Sequence, residues 1–389
     1  MIPVSVRLNP FKTPRERISI FDDASPVPWS RYGLILSQRP SFTLMPLFHA
    51  GCFYVQDSSA MYVGHVFRKI LSSFGPGLRV LDLCAAPGGK TTDLSVSLRE
   101  RFGEDWTLVS NEVMRDRVRV LDDNVAKWGD PRVMVTSVDP SVFARFDGAF
   151  DIIVADVPCS GEGMFRKDAE AQRQWSEDLV ELCAARQKRI LADVWPSLKE
   201  GGVLIYSTCT YEDAENDSNL EWAAQTLGGK IIPSEDEFPE YGVKLTRAGS
   251  LLKAGDVLGE GQWVGALLKT AFSSEFTSVH DFSSLRPLRR VFLPNERRGI
   301  VKGKDFIPDA DWALSIDFDR DAYPVVDLDE QLALRFLHRD TIVLPDAPLG
   351  YNVVSYSGVP LGFVKNLGRR CNNLYPSGRR ILMDVNNVK

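Results

Sequence analysis

The 389-residue sequence contains no C-x-x-C pair: its six cysteines stand apart at positions 52, 84, 159, 183, 209 and 371. That spacing signals neither a zinc ribbon nor a disulfide scaffold. Only four histidines occur (49, 65, 280 and 338), none spaced like metal ligands, so no metal is expected. No stretch approaches 18 apolar residues, and no membrane-spanning helix is predicted. The opening Met1-Ile2-Pro3-Val4 lacks the basic and apolar regions of a secretory signal, and repeats and low-complexity tracts are missing. The expectation is a cytoplasmic protein in a reducing compartment, without membrane contact.

Overall positive charge is missing too, the formal net charge being −6. Its distribution is uneven: residues 286–304 carry net +6, 305–340 net −7 and 361–389 net +5. A local basic patch suffices to attract phosphates, so nucleic acid stays open as a partner beside the alternative of a solvated face. What is present is ordinary: 44% hydrophobic and 25% charged residues, which argues for a folded globular chain. At ~150 residues per domain the length predicts two or three domains.

From about 78 to 270 short apolar runs alternate with amphipathic stretches. Strands are predicted at 78–83, 107–111, 133–136, 150–155, 203–207 and 263–268, and helices at about 90–101, 115–128, 178–198 and 214–225. That alternation implies an α/β domain with a parallel, doubly wound sheet and ligands at the carboxyl ends of its strands. Residues 1–77, richer in proline and aromatics, read as an accessory region, 78–272 as the main domain, and 273–389 as a small β-rich C-terminal unit. Trp128 and Trp195 fall at core-like helical positions.

Between the first strand and helix of this domain lies Cys84-Ala85-Ala86-Pro87-Gly88-Gly89-Lys90-Thr91. Small residues at a helix N-terminus let backbone N–H groups approach a ligand. The ending Gly-Lys-Thr resembles a phosphate loop, but the required first glycine falls at Cys84, and G-x-G-x-x-G is missing. A nucleoside fits better. Glu112, 23 residues past Gly89, can accept from ribose hydroxyls, and Asp139, after the third strand, can face an adenine amino group. Simple strand–helix packing would explain a lone glycine turn equally well.

Two strand ends carry cysteines: Asp156-Val157-Pro158-Cys159-Ser160-Gly161-Glu162-Gly163 and Ser207-Thr208-Cys209-Thr210-Tyr211. One buried thiol is usually inert packing. Two thiols beside a carboxylate suit attack on an electron-poor ring, in which a thiolate adds to C6 of a pyrimidine and makes C5 nucleophilic. Asp156 then hydrogen-bonds or protonates the ring near N3. The residues alone leave open which thiol is the nucleophile.

These boxes, with 81–91, resemble the Nol1/Nop2/Sun family of RNA 5-methylcytosine methyltransferases. Val6-Arg7-Leu8-Asn9-Pro10, residues 54–61, Arg166-Lys167-Asp168 and Gly259-Glu260-Gly261-Gln262-Trp263 agree with it in order. The resemblance implies a Rossmann-like class I methyltransferase sheet and S-adenosylmethionine as cofactor. Cys84, Ala85, Ala86, Pro87, Gly88, Gly89 and Lys90 would wrap its methionine and ribose part, with Glu112 on the ribose, Asp139 on the adenine and Asp156 near the reacting methyl. It implies Cys209 as nucleophile and Cys159 as the thiol that assists product release. Segments 350–351, 358–365 and 372–376 resemble the branch that modifies small-subunit (16S) ribosomal RNA, which ends in a PUA-like RNA-binding barrel. Lys365, Arg369, Arg370, Arg379 and Arg380 would read RNA backbone there, while the crevice takes a flipped-out cytosine. Relatives carry a helical leader before the segment matching 6–10, and only a few residues stand there in this chain.

The expected partner is therefore 16S rRNA or the assembled 30S subunit, with tRNA as the rival substrate and a monomer as the default state. Methylation of an exocyclic amine is disfavoured because Cys159 stands where a stacking aromatic would be. A catalytically silent RNA-binding assembly factor is disfavoured by the intact Asp156, Cys159 and Cys209.

Overall fold

A computed structural model of the chain describes residues 4–12, 21–165, 169–270 and 298–385. The motif at 166–168 and most of the basic stretch at 286–304 lie outside the described residues. The chain opens with a small antiparallel sheet of β1 (Val4–Leu8), β2 (Ser25–Pro26), β3 (Gly33–Leu36) and β4 (Phe53–Val55), in the order β2-β3-β1-β4, with the short helix α1 (Pro46–His49) before β4. Helix α2 (Tyr62–Leu71) follows and buries Tyr62, Val63, Phe67 and Leu71, the apolar stripe of an amphipathic helix.

The main domain then lays down β5 (Leu78–Asp82), α3 (Gly89–Phe102), β6 (Trp106–Asn111), α4 (Arg115–Trp128), β7 (Val133–Thr136), β8 (Phe150–Asp156), α5 (Ala169–Gln174), α6 (Glu177–Val194), β9 (Leu198–Thr208), α7 (Asp217–Ala223), β10 (Gly229–Ile232), β11 (Val243–Leu245), β12 (Gly249–Lys253) and β13 (Gly261–Lys269). The sheet runs β11-β12-β13-β9-β8-β5-β6-β7, with β10 also paired to β13. Strands β5 to β9 are parallel, as their apolar runs require when helices cover both faces. Beside this parallel sheet, β10 to β13, which include the late strand expected at 263–268, pair antiparallel, because the chain between β10 and β13 returns through turns and short loops without a crossover helix.

The parallel strands are ordered β9-β8-β5-β6-β7, so the winding direction reverses between β5 and β8. A crevice opens at the carboxyl ends of strands that part in this way. Here those ends lead into the 84–90 turn and the Cys159 loop, with the Cys209 loop next to it on β9.

One core layer packs Phe67, Leu94, Leu121 and Val125 under the sheet, and the other packs Ile190, Leu191 and Trp195 against Leu81, Ile153 and Leu204. The C-terminal region forms the hairpin β14 (Gly299–Lys302) and β15 (Asp305–Pro308), then β16 (Val325–Leu328), α8 (Glu330–His338), β17 (Gly350–Tyr356), β18 (Val359–Asn366) and β19 (Cys371–Asn373), the last four strands making one sheet. Its helix does not build a separate core. Leu334, Phe336, Leu337 and Tyr375 share one apolar cluster with Val6, Leu8, Phe53 and Leu47 of the N-terminal sheet. Gly129, left-handed at the end of α4, receives the C-terminal segment through Ile316 N–H to its carbonyl at 2.9 Å. The two ends of the chain therefore brace each other against the flank of the main domain.

Candidate active site

The turn after β5 is held from outside by its carbonyls. Arg117 Nη2 donates to Ala86 O at 2.7 Å, Asn124 Nδ2 and the Tyr54 hydroxyl donate to Pro87 O at 2.8 and 3.1 Å, and Arg7 Nη2 donates to Gly89 O at 2.9 Å. Gly88 adopts φ +108°, a conformation that glycine enters without strain, and opens α3 so that the first N–H groups of the helix face the crevice. Under the turn, Asp82 is fully buried and accepts from Thr91 Oγ1 at 2.6 Å. Burial pushes its carboxyl up to about 7. Burial likewise pushes the Cys84 thiol up, which disfavours a thiolate at that position.

Glu112 follows β6 and is buried; its Oε1 accepts from Met114 N at 2.9 Å, whereas Oε2 accepts no hydrogen bond and stands 3.3 Å from Arg117. A buried carboxylate oxygen left without a donor is what a ribose hydroxyl would satisfy, so the arrangement fits a nucleoside bearing that group. Asp139 lies exposed after β7, where it caps a short 3-10 turn by accepting from Ser141 N and Oγ, bonds that hold its carboxyl below its usual range.

The two thiols meet. Cys159 Sγ and Cys209 Sγ are 3.1 Å apart, and both cysteines are free. A hydrogen bond from the Cys159 thiol, aided by the nearby Lys90 charge, holds Cys209 below the ordinary thiol range, while the same bond drives Cys159 up. The two thiols are thus shifted in opposite directions, an asymmetry the sequence did not reveal.

Asp156, at the end of β8, accepts from Lys90 Nζ at 2.8 Å, Ser207 Oγ at 2.7 Å and Gln262 Nε2 at 3.1 Å. Burial opposes the Lys90 charge, but Asp156 outweighs it and the ammonium is raised above its ordinary range. Lys90, expected at the cofactor, is therefore also the ion partner of Asp156. Ser207 and Gln262, missed as site residues, flank that carboxylate. Gln262 lay in a segment singled out for its resemblance, and its amide also donates to Thr208 O at 2.8 Å. That segment docks on another one: Asp57 accepts from Glu260 N at 3.1 Å, and Ser59 Oγ from Gly261 N at 3.2 Å.

On the C-terminal sheet, Arg369, Arg370 and Arg380 are exposed, and Lys365 lies over the Tyr351 ring at 5.0 Å. The expectation that Arg379 reads RNA is corrected. Its side chain is 8% exposed and paired with Asp123 of α4 at 3.0 Å and with Asp311, so it ties the tail to the main domain.

Comparison with known proteins gives a consistent pattern. Residues 1–58 match the N-terminal domain of 16S rRNA methyltransferase RsmF, residues 74–230 the family 16S rRNA methyltransferase RsmB/F, and residues 323–381 the methyltransferase RsmF PUA domain. Ribosomal RNA small subunit methyltransferase F of Escherichia coli (strain K12) is 34% identical over 258 residues, covering 63% of this chain and 52% of that protein, and the Shigella sonnei protein of the same name matches equally. The chain spans about half the length of the curated relatives it matches. Among solved structures, a methyltransferase homolog protein from Pyrococcus horikoshii aligns at TM-score 0.58 and 26% identity, over 69% of this chain and 87% of that one. NSun6 from the same organism, solved with SFG, aligns at TM-score 0.57 and 17% identity over 69% and 91%, which bears on the fold alone.

Proposed function

We propose that the chain methylates C5 of a cytidine in small-subunit ribosomal RNA, a reading supported by its homology to 16S rRNA methyltransferase RsmF and by the match of its segments in turn to the N-terminal, RsmB/F and PUA models. The observation that carries the chemistry is the cysteine pair at 3.1 Å beside the Asp156–Lys90 ion pair, at the reversal point of the sheet.

S-adenosylmethionine, when bound, supplies an electrophilic methyl group on a sulfonium sulfur. Cys84 to Lys90 and Glu112 would hold it, with Asp139 at the adenine end and Asp156 at the other. Cys209 is the nucleophile: its sulfur forms a bond to C6 of the flipped-out cytosine, and the electron pair of the C5–C6 bond moves toward C5 and the N3 edge. Near N3, Asp156 hydrogen-bonds or protonates the ring, and its ion partner Lys90 supplies positive charge against the negative charge developing there. Once C5 carries the methyl group, a base takes the C5 proton, the electrons of that C–H bond re-form the C5–C6 double bond, and the sulfur–C6 bond breaks with its electron pair returning to Cys209, a departing sulfur that the Cys159 thiol hydrogen-bonds. The enzyme acts in the cytoplasm, as a monomer, with the C-terminal PUA domain holding the RNA and 16S rRNA or the assembled small subunit as the substrate.

The test is methylation of unmodified bacterial RNA, offered as ribosomal fractions, transfer RNA and assembled small subunits, with 5-methylcytidine measured by mass spectrometry. Product is expected in the small-subunit fractions and none with Cys209→Ala, while Cys159→Ala accumulates a covalent protein–RNA adduct. Adduct formation by Cys209→Ala would reverse the two thiol roles, and product confined to transfer RNA would replace the substrate.

A further inference from the structure

Two glutamates stand between the cysteine loops, and the methylation chemistry leaves them without a task. Glu162, three residues after Cys159, reaches across to the other loop, where its Oε2 accepts from Thr210 Oγ1 at 2.8 Å and from Tyr211 N at 2.7 Å. Glu215, six residues after Cys209, reaches back, and its Oε2 accepts from Ser160 N at 3.1 Å and from Gln187 Nε2 at 2.7 Å. Each loop thus gives a carboxylate to a backbone N–H just past the cysteine of the other.

The space between the two is closed by further contacts. Ser160 Oγ and Thr210 Oγ1 are 2.9 Å apart, and Gly163 N donates to Cys209 O at 2.8 Å. A side chain at Gly163 would place its Cβ 2.8 Å from that same carbonyl, so only glycine admits the approach. Gln187 of α6 donates to Pro158 O at 3.0 Å as well as to Glu215, and so ties the Cys159 loop to the helix behind it. Glu215 is fully buried, and burial pushes its carboxyl up. The chain has no need of an ionisable group in such a place for stability alone, because a buried acid costs more than an apolar side chain of its size.

We propose that Glu162 and Glu215 form a reciprocal clasp, as positioning residues that hold the two thiols in register, each setting the cysteine of the opposite loop. Glu162 sets the loop of Cys209, so its loss slows bond formation to the base. Glu215 sets the loop of Cys159, so its loss slows release. The consequences for turnover rest on the methylation reading, whereas the spacing of the thiols does not.

The spacing is read by oxidation with diamide. Two electrons and two protons pass from the Cys159 and Cys209 thiols to the diazene, which becomes a hydrazine while the sulfurs join. The full-length protein should form the 159–209 disulfide fastest, detected as one cross-linked peptide after digestion. Glu162→Ala and Glu215→Ala, shown to be folded by circular dichroism, should form it about tenfold more slowly, because a buried donor that has lost its acceptor lets the loop move. Glu162→Gln and Glu215→Gln keep the acceptor oxygen and should stay within about twofold of the parent rate. Alanine variants that are folded and cross-link as fast as the parent would overturn the clasp. If the alanine variants do not fold, Thr210→Val, which removes the hydroxyl that meets Glu162, and Gln187→Met, which removes the amide that meets Glu215, decide: slowing beside unaffected glutamine variants supports the clasp, and parent-like cross-linking of both overturns it.

Given a parent that methylates small-subunit RNA, Glu215→Ala should accumulate the covalent adduct and Glu162→Ala should not; the reverse pattern overturns the assignment of each glutamate to the opposite loop. If the parent methylates no RNA, the methylation reading fails and the diamide rates alone decide the clasp.

Discussion

Replacing Arg7 with methionine should loosen the turn assigned to S-adenosylmethionine from a residue outside the main domain. Arg7 lies on β1 and is 1% exposed. Its Nε donates to Gln56 Oε1 at 2.9 Å, its Nη2 to Gly89 O at 2.9 Å and to Thr92 Oγ1 at 2.5 Å, and its guanidinium lies over the Trp128 ring at 4.8 Å. Methionine replaces the apolar stem and donates nothing, leaving the buried Gln56 Oε1 without this donor and Gly89 O with Thr92 Oγ1 at 3.0 Å in place of the charged one. Asp93 loses the Arg7 charge 3.9 Å from its Oδ2 and keeps Arg68 at 3.3 Å on Oδ1. Bonds from a charged donor contribute ~1.5–3 kcal/mol each, and relief of the buried charge returns part of that, so a net loss of ~2–4 kcal/mol is expected. The burial that lowers the Arg7 pKa is the sign that such relief is real. Urea unfolding of the protein alone measures the stability, and calorimetric titration of S-adenosylmethionine into the folded variant measures the turn. The Kd should rise about tenfold, the effect of ~1.4 kcal/mol of turn disorder. A stability loss below ~1 kcal/mol, or unchanged cofactor affinity, would refute the reasoning.

Other perturbations follow from the same contacts. Burial lowers His49 from its ordinary 6.5 to about 4, while its Nε2 meets Thr43 O at 2.9 Å and its Nδ1 the Tyr375 hydroxyl at 3.3 Å. Between pH 4 and 6.5 the unfolded chain therefore binds the proton that the folded chain refuses, so stability falls as pH drops through that window. His49→Gln should flatten this slope in urea unfolding run at pH 5 and pH 7, and an unchanged slope would clear His49 of the role. Gly259→Ala would put a Cβ 1.9 Å from Ser59 Oγ, forcing apart the docked 57–59 and 260–262 segments. A lower unfolding temperature and weaker methylation should appear together, since Gln262 holds Asp156. Arg369→Glu with Arg370→Glu should weaken RNA binding and reduce its salt slope by about two, with cofactor affinity unchanged. Arg379→Met should instead lower stability first, because that side chain is paired with Asp123 and Asp311.

The elements read from the sequence were those whose signal is local. The β5 to β9 runs are apolar, bounded by turns, and separated by stretches with helical period, so periodicity places them to within a few residues. Helix α2 went unread because its aromatics and the prolines before it resembled an irregular accessory region. Strands β10, β11 and β12 are three to five residues long, too short for an alternating pattern to stand out. The shared core of β1, β4 and α8 depends on contacts between the two ends of the chain, which no window of sequence contains. The site divides along the same line. Cys159 and Cys209 were legible as partners because each follows a strand predicted in the same sheet. The residues that hold them were not. Glu215 sits in Glu212-Asp213-Ala214-Glu215-Asn216-Asp217, a run that reads as solvated, yet it is fully buried with a backbone N–H of another loop as its donor. Lys90 was read for its motif and Arg379 for its charge, and in both cases a specific carboxylate decided where the cation went. A charged residue in a sequence declares what it can bond but not which partner the fold brings to it, and at this crevice the fold brings Asp156 to Lys90 as it brings Cys159 to Cys209.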